Sequence, residues 1–265
     1  MPQKIYDLII IGAGAAGMFT AIHAPKDASK LILEKTKKLG TKVLMSGGER
    51  CNVSNIDIEP ERDYFGKNTK ALHSLFKRFS NYDMIHWLES RGVQTHIEDR
   101  GRIILHSGRA NELVDILQKE LQKNNTEIIY HTPAEDIILR EDGVFEVIPV
   151  SVETGLVESF LARKLVISSG GKSFASVGTD GWGYKIAGKF GHTLNEPFKG
   201  LCGMVTRENL ADISGSTVFL DIELSDDEKL IYSESDGSFL FTHFGVSGPM
   251  IYNAVVRLGE YLREK

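Results

Sequence analysis

Two hydrophobic periods alternate along the first half of the chain. Asp7-Leu8-Ile9-Ile10-Ile11 is a short, nearly unbroken apolar run rich in branched residues, the pattern of a strand buried on both faces of a parallel sheet. A glycine-rich turn and a helix-compatible segment through Ala24 follow, and Leu31-Ile32-Leu33 reads as a second strand. From Thr69 to Gly92 the spacing becomes helical. Leu72, Leu75, Phe76 and Phe79 fall at i, i+3, i+4 and i+7, predicting one apolar face that serves as core packing. A second helix is expected from Asp83 to Ser90, with Gly92 near its stop. Arg109 to Lys123 predicts an amphipathic helix with Leu113, Ile116, Leu117 and Leu121 inward, and Glu127 to His131 predicts a strand after it. Helix followed by strand continues a βαβ pattern.

The second half shifts toward strands. Asp136 to Pro149 and Leu156 to Phe160 predict a small antiparallel ribbon turning at Glu141-Asp142-Gly143. Lys164 to Ser168 reads as another buried strand, ending in Ser168-Ser169-Gly170-Gly171, with a helix from Gly183 to Phe190 stopped by Gly191. After Pro197 only strands are predicted: Ser216 to Leu224, Lys229 to Ser233 and Gly237 to Thr242, with a turn at Ser235-Asp236-Gly237.

The turn after the first strand carries the first chemical signal. Gly12-Ala13-Gly14-Ala15-Ala16-Gly17 has the spacing GxGxxG. Gly12 permits the tight turn, Gly14 lets backbone approach a pyrophosphate, and Gly17 lets the helix pack close to the strand. The helix N-terminus, with Ala15 and Ala16, offers free N–H groups to phosphates. Glu34 ends the second strand twenty positions beyond Gly14, where an acid accepts from an adenosine ribose diol and repels a 2′-phosphate. Strand, turn, helix, strand and acid together indicate a Rossmann-like α/β domain for a dinucleotide, either NAD or FAD.

The segment Lys38 to Asn55 bears on that choice. It combines a basic loop, the paired glycines Gly47-Gly48 and a cluster of hydrogen-bonding side chains. It has the character of a segment lying along an extended ligand, with Lys42 and Arg50 facing anionic or electron-rich groups. Taken with the glycine turn, the string Leu44-Met45-Ser46-Gly47-Gly48-Glu49-Arg50-Cys51-Asn52-Val53-Ser54-Asn55 resembles the BaiN/YhiN-like FAD-dependent oxidoreductases, some of which are labelled aminoacetone oxidase. The similarity continues in Gly101-Arg102-Ile103, Gly170-Gly171-Lys172-Ser173, Gly178-Thr179-Asp180-Gly181 and Phe241 to Pro249.

That resemblance implies a Rossmann-like FAD-binding domain over residues 1–195 and the start of an antiparallel β insert domain over 196–265. It implies FAD held by Gly12, Gly14, Ala15, Ala16, Gly17, Glu34, Lys35, Thr41, Lys42, Ser46, Gly47, Arg50, Asn52 and Asn55, by backbone at Ala134, and by Gly170 and Gly171. NAD(P)H is expected only as a transient reductant, since no second GxGxxG follows Gly171. Glu49 stands where the family usually has glycine. The chain stops at Lys265, before the family's final glycine-rich return, so a fragment or truncated product with loosely held flavin and little turnover is expected. The competing functions are a NAD-linked dehydrogenase and a non-catalytic FAD-binding remnant.

Composition narrows the partners. The 265 residues carry 31 basic and 36 acidic side chains, a net charge of -5, so no whole-chain positive field argues for nucleic acid. A small-molecule substrate is the expected partner, and a cytoplasmic setting the expected location. Leu8 to Ala24 is too short and too glycine-broken for the roughly 20 apolar residues of a membrane span. Cys51 and Cys202 form neither a disulfide framework nor a CxxC pair. Cys51 is read as a packed thiol within the motif. His243 is either a structural histidine or a substrate-side acid or base, and Asp180 a cap for the Gly183 helix. No metal cluster and no catalytic triad stand out.

Overall fold

Branched residues place strand β1 (Ile5–Ile11) at the centre of a six-stranded sheet in the computed structural model, which describes residues 3–66, 68–150, 158–259 and 261. The chain divides into two units, Met1–Ile58 with Leu72–Leu194, and Glu59–Ala71 with Asn195–Lys265. In the first unit, helix α1 (Ala15–His23) leads from β1 to β2 (Lys30–Leu33), then to α2 (Thr41–Met45) and β3 (Asn52–Asn55). Helix α3 (Pro60–Asp63) belongs to the second unit. The first unit resumes with α4 (Leu72–Arg78), α5 (Asn81–Glu89), β4 (Thr95–Ile97), β5 (Arg102–Leu105), α6 (Ala110–Lys123) and β6 (Thr126–Ile129). It ends with β7 (Ala134–Leu139), β8 (Phe145–Pro149), β9 (Phe160–Ile167) and α7 (Trp182–Lys189).

The large sheet has the order β6-β2-β1-β9-β8-β7. Strand β1 pairs in parallel on both sides, Ile10 lying opposite Ile32 and Val166. Alternation along a strand sends neighbouring side chains to opposite faces. Ile10 and Ile32 accordingly join Met18, Leu117 and Leu121 from α1 and α6 in one core. Ile9, Ile11, Leu31 and Leu33 form a second core on the other face, with Ala134. This is a Rossmann-like fold of the α/β class. Strands β7 and β8 form the expected ribbon, closed by Arg140 N–H donating to the Val144 carbonyl at 2.9 Å. Strand β9 starts at Phe160, earlier than its apolar run indicated, and carries the exposed Arg163 and Lys164. The expected contribution of Leu156 lies outside the described residues.

The segment from Thr69 to Gly92 departs from its pattern. Leu75 and Phe79 are 57% and 39% exposed, so the α4 stripe is no core face. The layer beneath is filled instead by Trp87 and Leu88 of α5, with Phe19 of α1 packed against them. The helix breaks at Ser80, whose hydroxyl accepts from Asp83 N–H at 3.1 Å while the Asp83 carboxylate accepts from Ser80 N–H at 2.7 Å. This reciprocal capping box starts α5 two residues before the expected Asp83.

The second unit carries β10 (Met204–Val205), β11 (Thr217–Asp226), β12 (Lys229–Thr242), β13 (Gly245–Ser247) and α8 (Pro249–Arg257). Its sheet has the order β10-β13-β12-β11, with Met250, Ile251 and Val255 of α8 packed against Ile222. Ser235-Asp236-Gly237 is not a turn. It lies inside β12, where Asp236 takes a positive φ of 52° and its N–H donates to Asp221 at 2.8 Å, across a register shift in the ladder. The two short strands expected there are one strand with a bulge.

Candidate functional site

The turn after β1 is held from both sides. Gly12 N–H donates to the Leu33 carbonyl at 2.8 Å, and Ser168 Oγ donates to the Ile11 and Gly12 carbonyls, both at 2.9 Å. Gly12 has φ +101°, and a β-carbon there would lie 2.7 Å from the Ser168 carbonyl oxygen. A β-carbon at Gly17 would overlap the Gly12 carbonyl, so only glycine lets α1 sit this close. Gly14 differs: a β-carbon there meets nothing within 4 Å. Its open side faces a cavity of about 680 Å³ lying wholly within the first unit. No side chain caps the α1 N-terminus and no acid stands in its first turn, which leaves that end open to an anion.

Glu34 is buried at the end of β2. Its carboxylate accepts from Ala13 N–H, Thr36 N–H and Thr36 Oγ1, each at 2.7 Å. A carboxylate offers about four acceptor positions, so one remains for a ligand hydroxyl. The acid ties the glycine turn to β2 and lies in the cavity wall.

Of the residues expected at the site, the cavity wall contains Gly12, Gly14, Ala15, Ala16, Glu34, Thr41, Lys42, Ser46, Asn52 and Gly170. Gly17 lies outside that wall, in its packing role against the turn. Lys35 ion-pairs with Asp180 at 2.8 Å and Arg50 with Glu98 at 2.7 Å. A β-carbon at Gly47 would stand 2.8 Å from the Asn52 backbone nitrogen, and one at Gly171 3.0 Å from the Tyr184 hydroxyl. Asn55 donates to the Arg100 carbonyl at 2.8 Å and accepts from Asp57 N–H at 2.9 Å. Ala134 is buried in the core at the start of β7. None of Lys35, Gly47, Arg50, Asn55, Ala134 or Gly171 is in the cavity wall.

The motif loop bends sharply. Gly47, Gly48, Glu49 and Cys51 all take positive φ, Glu49 at 69°. A left-handed residue with a β-carbon costs roughly 1–2 kcal/mol, so Glu49 holds a backbone conformation that favours glycine. Burial pushes the Cys51 thiol up to about 11. It lines the cavity as a neutral group.

Several wall residues carried no sequence signal for a ligand, and Phe79, Leu113 and Leu117 read only as packing positions. Phe19, Phe79, Met84, Leu113 and Leu117 make one end of the cavity apolar. Phe19 could have been found from its place one turn beyond Ala15 and Ala16 on the same helix face. Ser168, Val177, Gly178 and Thr179 supply a wall from the segment after β9. Asp180 accepts from Trp182 N–H at 3.0 Å at the start of α7. His243 is exposed, between β12 and β13 of the second unit.

Residues 6–254 match the family model described as HI0933-like protein Rossmann domain. The chain belongs to that family. Two relatives are named ribosomal RNA dihydrouridine synthase. The one from Escherichia coli strain K12 is 32% identical over 97% of this chain, and the one from Haemophilus influenzae is 30% identical over 96%. A third, 26% identical over 96% of the chain, is the 3-dehydro-bile acid delta(4,6)-reductase of Clostridium scindens. This HI0933-like chain spans 61% of the length of each of these relatives. Among the described residues, no group of three or more His, Cys, Asp or Glu side chains is placed to hold a metal ion. No described helix is long and apolar enough to cross a membrane.

Proposed function

We propose that this HI0933-like chain binds FAD and serves an oxidoreductase that reduces a carbon–carbon double bond conjugated to a carbonyl, with NAD(P)H as the transient electron donor. The observation that carries the cofactor reading is the open face of Gly14 at an uncapped helix N-terminus, with the buried Glu34 carboxylate on the same cavity. The diphosphate fits against Gly14 and the first turn of α1. Thr41, Lys42 and Ser46, polar members of the same cavity wall, support the reading of an extended ligand. The volume suits a ligand of that size class. Bound FAD would supply two-electron hydride chemistry.

The names of the relatives support the reaction class. Forming dihydrouridine and removing a Δ4,6 unsaturation both add hydrogen across a carbon–carbon bond in conjugation with a carbonyl. Such a reaction places a hydride on the β-carbon and a proton on the α-carbon. The chain's own part is to hold the cofactor, orient it and keep water away. The apolar end formed by Phe19, Met84, Leu113 and Leu117 and the neutral Cys51 thiol suit that exclusion. The test uses the chain loaded with FAD and reduced anaerobically by NADH or NADPH, then offered a steroid 4-en-3-one or a uridine-containing RNA. A single turnover, with return of the oxidised flavin band and at most one saturated product per flavin, is expected from one of them. A flavin that neither accepts electrons from NAD(P)H nor passes them to either acceptor contradicts the proposal.

A further inference from the structure

Lys35 follows the ribose-end acid directly, yet its ammonium does not reach the cavity. It crosses instead to the segment after β9, where Nζ donates to Asp180 Oδ2 at 2.8 Å. A second lysine repeats the pattern: Lys42 Nζ donates to Ser173 Oγ at 2.9 Å. Between these two anchor points the segment is held to itself. Thr179 Oγ1 donates to the Ser173 carbonyl, and to the Phe174 carbonyl at 3.1 Å. Gly178 lies so close to the Thr36 side chain that a β-carbon would stand 3.3 Å from it. The inner surface of this segment, Val177 to Thr179, forms part of the cavity wall, as do Glu34 and Thr36.

We propose that Lys35 and Asp180 are a positioning pair that fastens the Ser173–Asp180 segment over the adenosine end of the cavity, so that Lys35 retains the cofactor through Asp180 and not by touching it. The proposal rests on the FAD reading above. Both partners are about half exposed, at 46% and 48%, so the pair is one of modest strength that salt weakens. Asp180 also receives the Trp182 N–H at 3.0 Å, which fixes its carboxylate while the lysine approaches from the other side. The carboxyl is held below the usual aspartate range, first by Lys35 and then by that N–H. It is charged throughout the neutral range.

A double-mutant cycle on FAD release separates this role from direct contact. The readouts are the first-order rate of flavin fluorescence recovery on dilution of the FAD-loaded chain, at low and high salt, and the thermal midpoint of each variant. Lys35→Ala and Asp180→Asn are each expected to speed release about threefold to tenfold. The double variant should release no faster than either single one, and the salt dependence of release should flatten in all three. Two results overturn the proposal. One is additivity, or slower release in Asp180→Asn, which would mean that freed Lys35 reaches the cofactor itself. The other is unchanged release with a lowered thermal midpoint, which would make the pair purely structural. If the wild-type chain takes up no FAD, the cofactor reading fails, and that outcome is distinct from an additive cycle.

Discussion

At the scale of single residues, charge and burial decide what each group can do. Arg50 and Lys42 were expected to face a ligand, and the structure gives them different situations. Lys42 is in the cavity wall while donating to Ser173. Arg50 lies outside that wall and is bound to Glu98, a carboxylate that also has Arg102 at 3.3 Å and His96 at 3.4 Å. Removing one partner of such a group leaves the others mispaired, so Arg50 answers to a network on β4 and β5. Cys51 illustrates burial. With its thiol pushed up to about 11, the thiolate fraction at pH 8 is ~0.1% against a substantial fraction for an ordinary thiol. Cys51 should therefore resist alkylation by iodoacetamide at pH 8 in the folded chain and react as pH climbs toward 11, while the half-buried Cys202 reacts first. Peptide mass mapping over a pH series reads both. Rapid labelling of Cys51 at pH 8 would mark it as an activated thiol.

At the scale of elements, periodicity was a sound guide wherever a helix or strand has a layer to pack on. The α6 pattern put Leu113, Ile116, Leu117 and Leu121 inward; the three leucines are buried and Ile116 is partly buried. The β1 run placed a central parallel strand, and the chemistry of GxGxxG followed from geometry the spacing already contained. Periodicity misled at α4, because an apolar stripe states only that a helix could bury a face. What lies beneath that face is set by distant residues, here Phe19 and Trp87, which no local window contains. It misled again at Ser235-Asp236-Gly237, where turn-forming residues serve a bulge inside a long strand. Stability measurements should register the contrast. Leu121→Ala, at a fully buried position, is expected to cost about 2–5 kcal/mol. Leu75→Ala should stay within about 0.5 kcal/mol, both read from urea midpoints at constant slope. Equal losses would show that the α4 stripe is packed as its pattern implies.

At the scale of the whole molecule, the sheet gathers residues that the sequence scatters. Strands β1, β2 and β9 end together, and each contributes the residues just beyond its end: the glycine turn, Glu34, and Ser168 with Gly170. This is the crevice at the carboxyl ends of parallel strands where open α/β sheets take their ligands. The string from Ser46 to Asn55 reads in the sequence as one continuous ligand-side segment. Its division into wall residues (Ser46, Cys51, Asn52, Val53) and supporting residues (Gly47, Arg50, Asn55) is not legible there, because that depends on how the loop turns through its left-handed positions.

The central claim is that this cavity holds FAD with Glu34 at its ribose end, and the most direct test is equilibrium titration of the chain and of Glu34→Ala with FAD, followed by flavin fluorescence. The wild-type chain should bind FAD saturably at one site. Loss of a charge-assisted hydrogen bond should weaken the variant by about 1.5–3 kcal/mol, roughly tenfold to more than a hundredfold in Kd. No saturable binding by the wild-type chain, or an affinity indifferent to Glu34→Ala, would contradict the account.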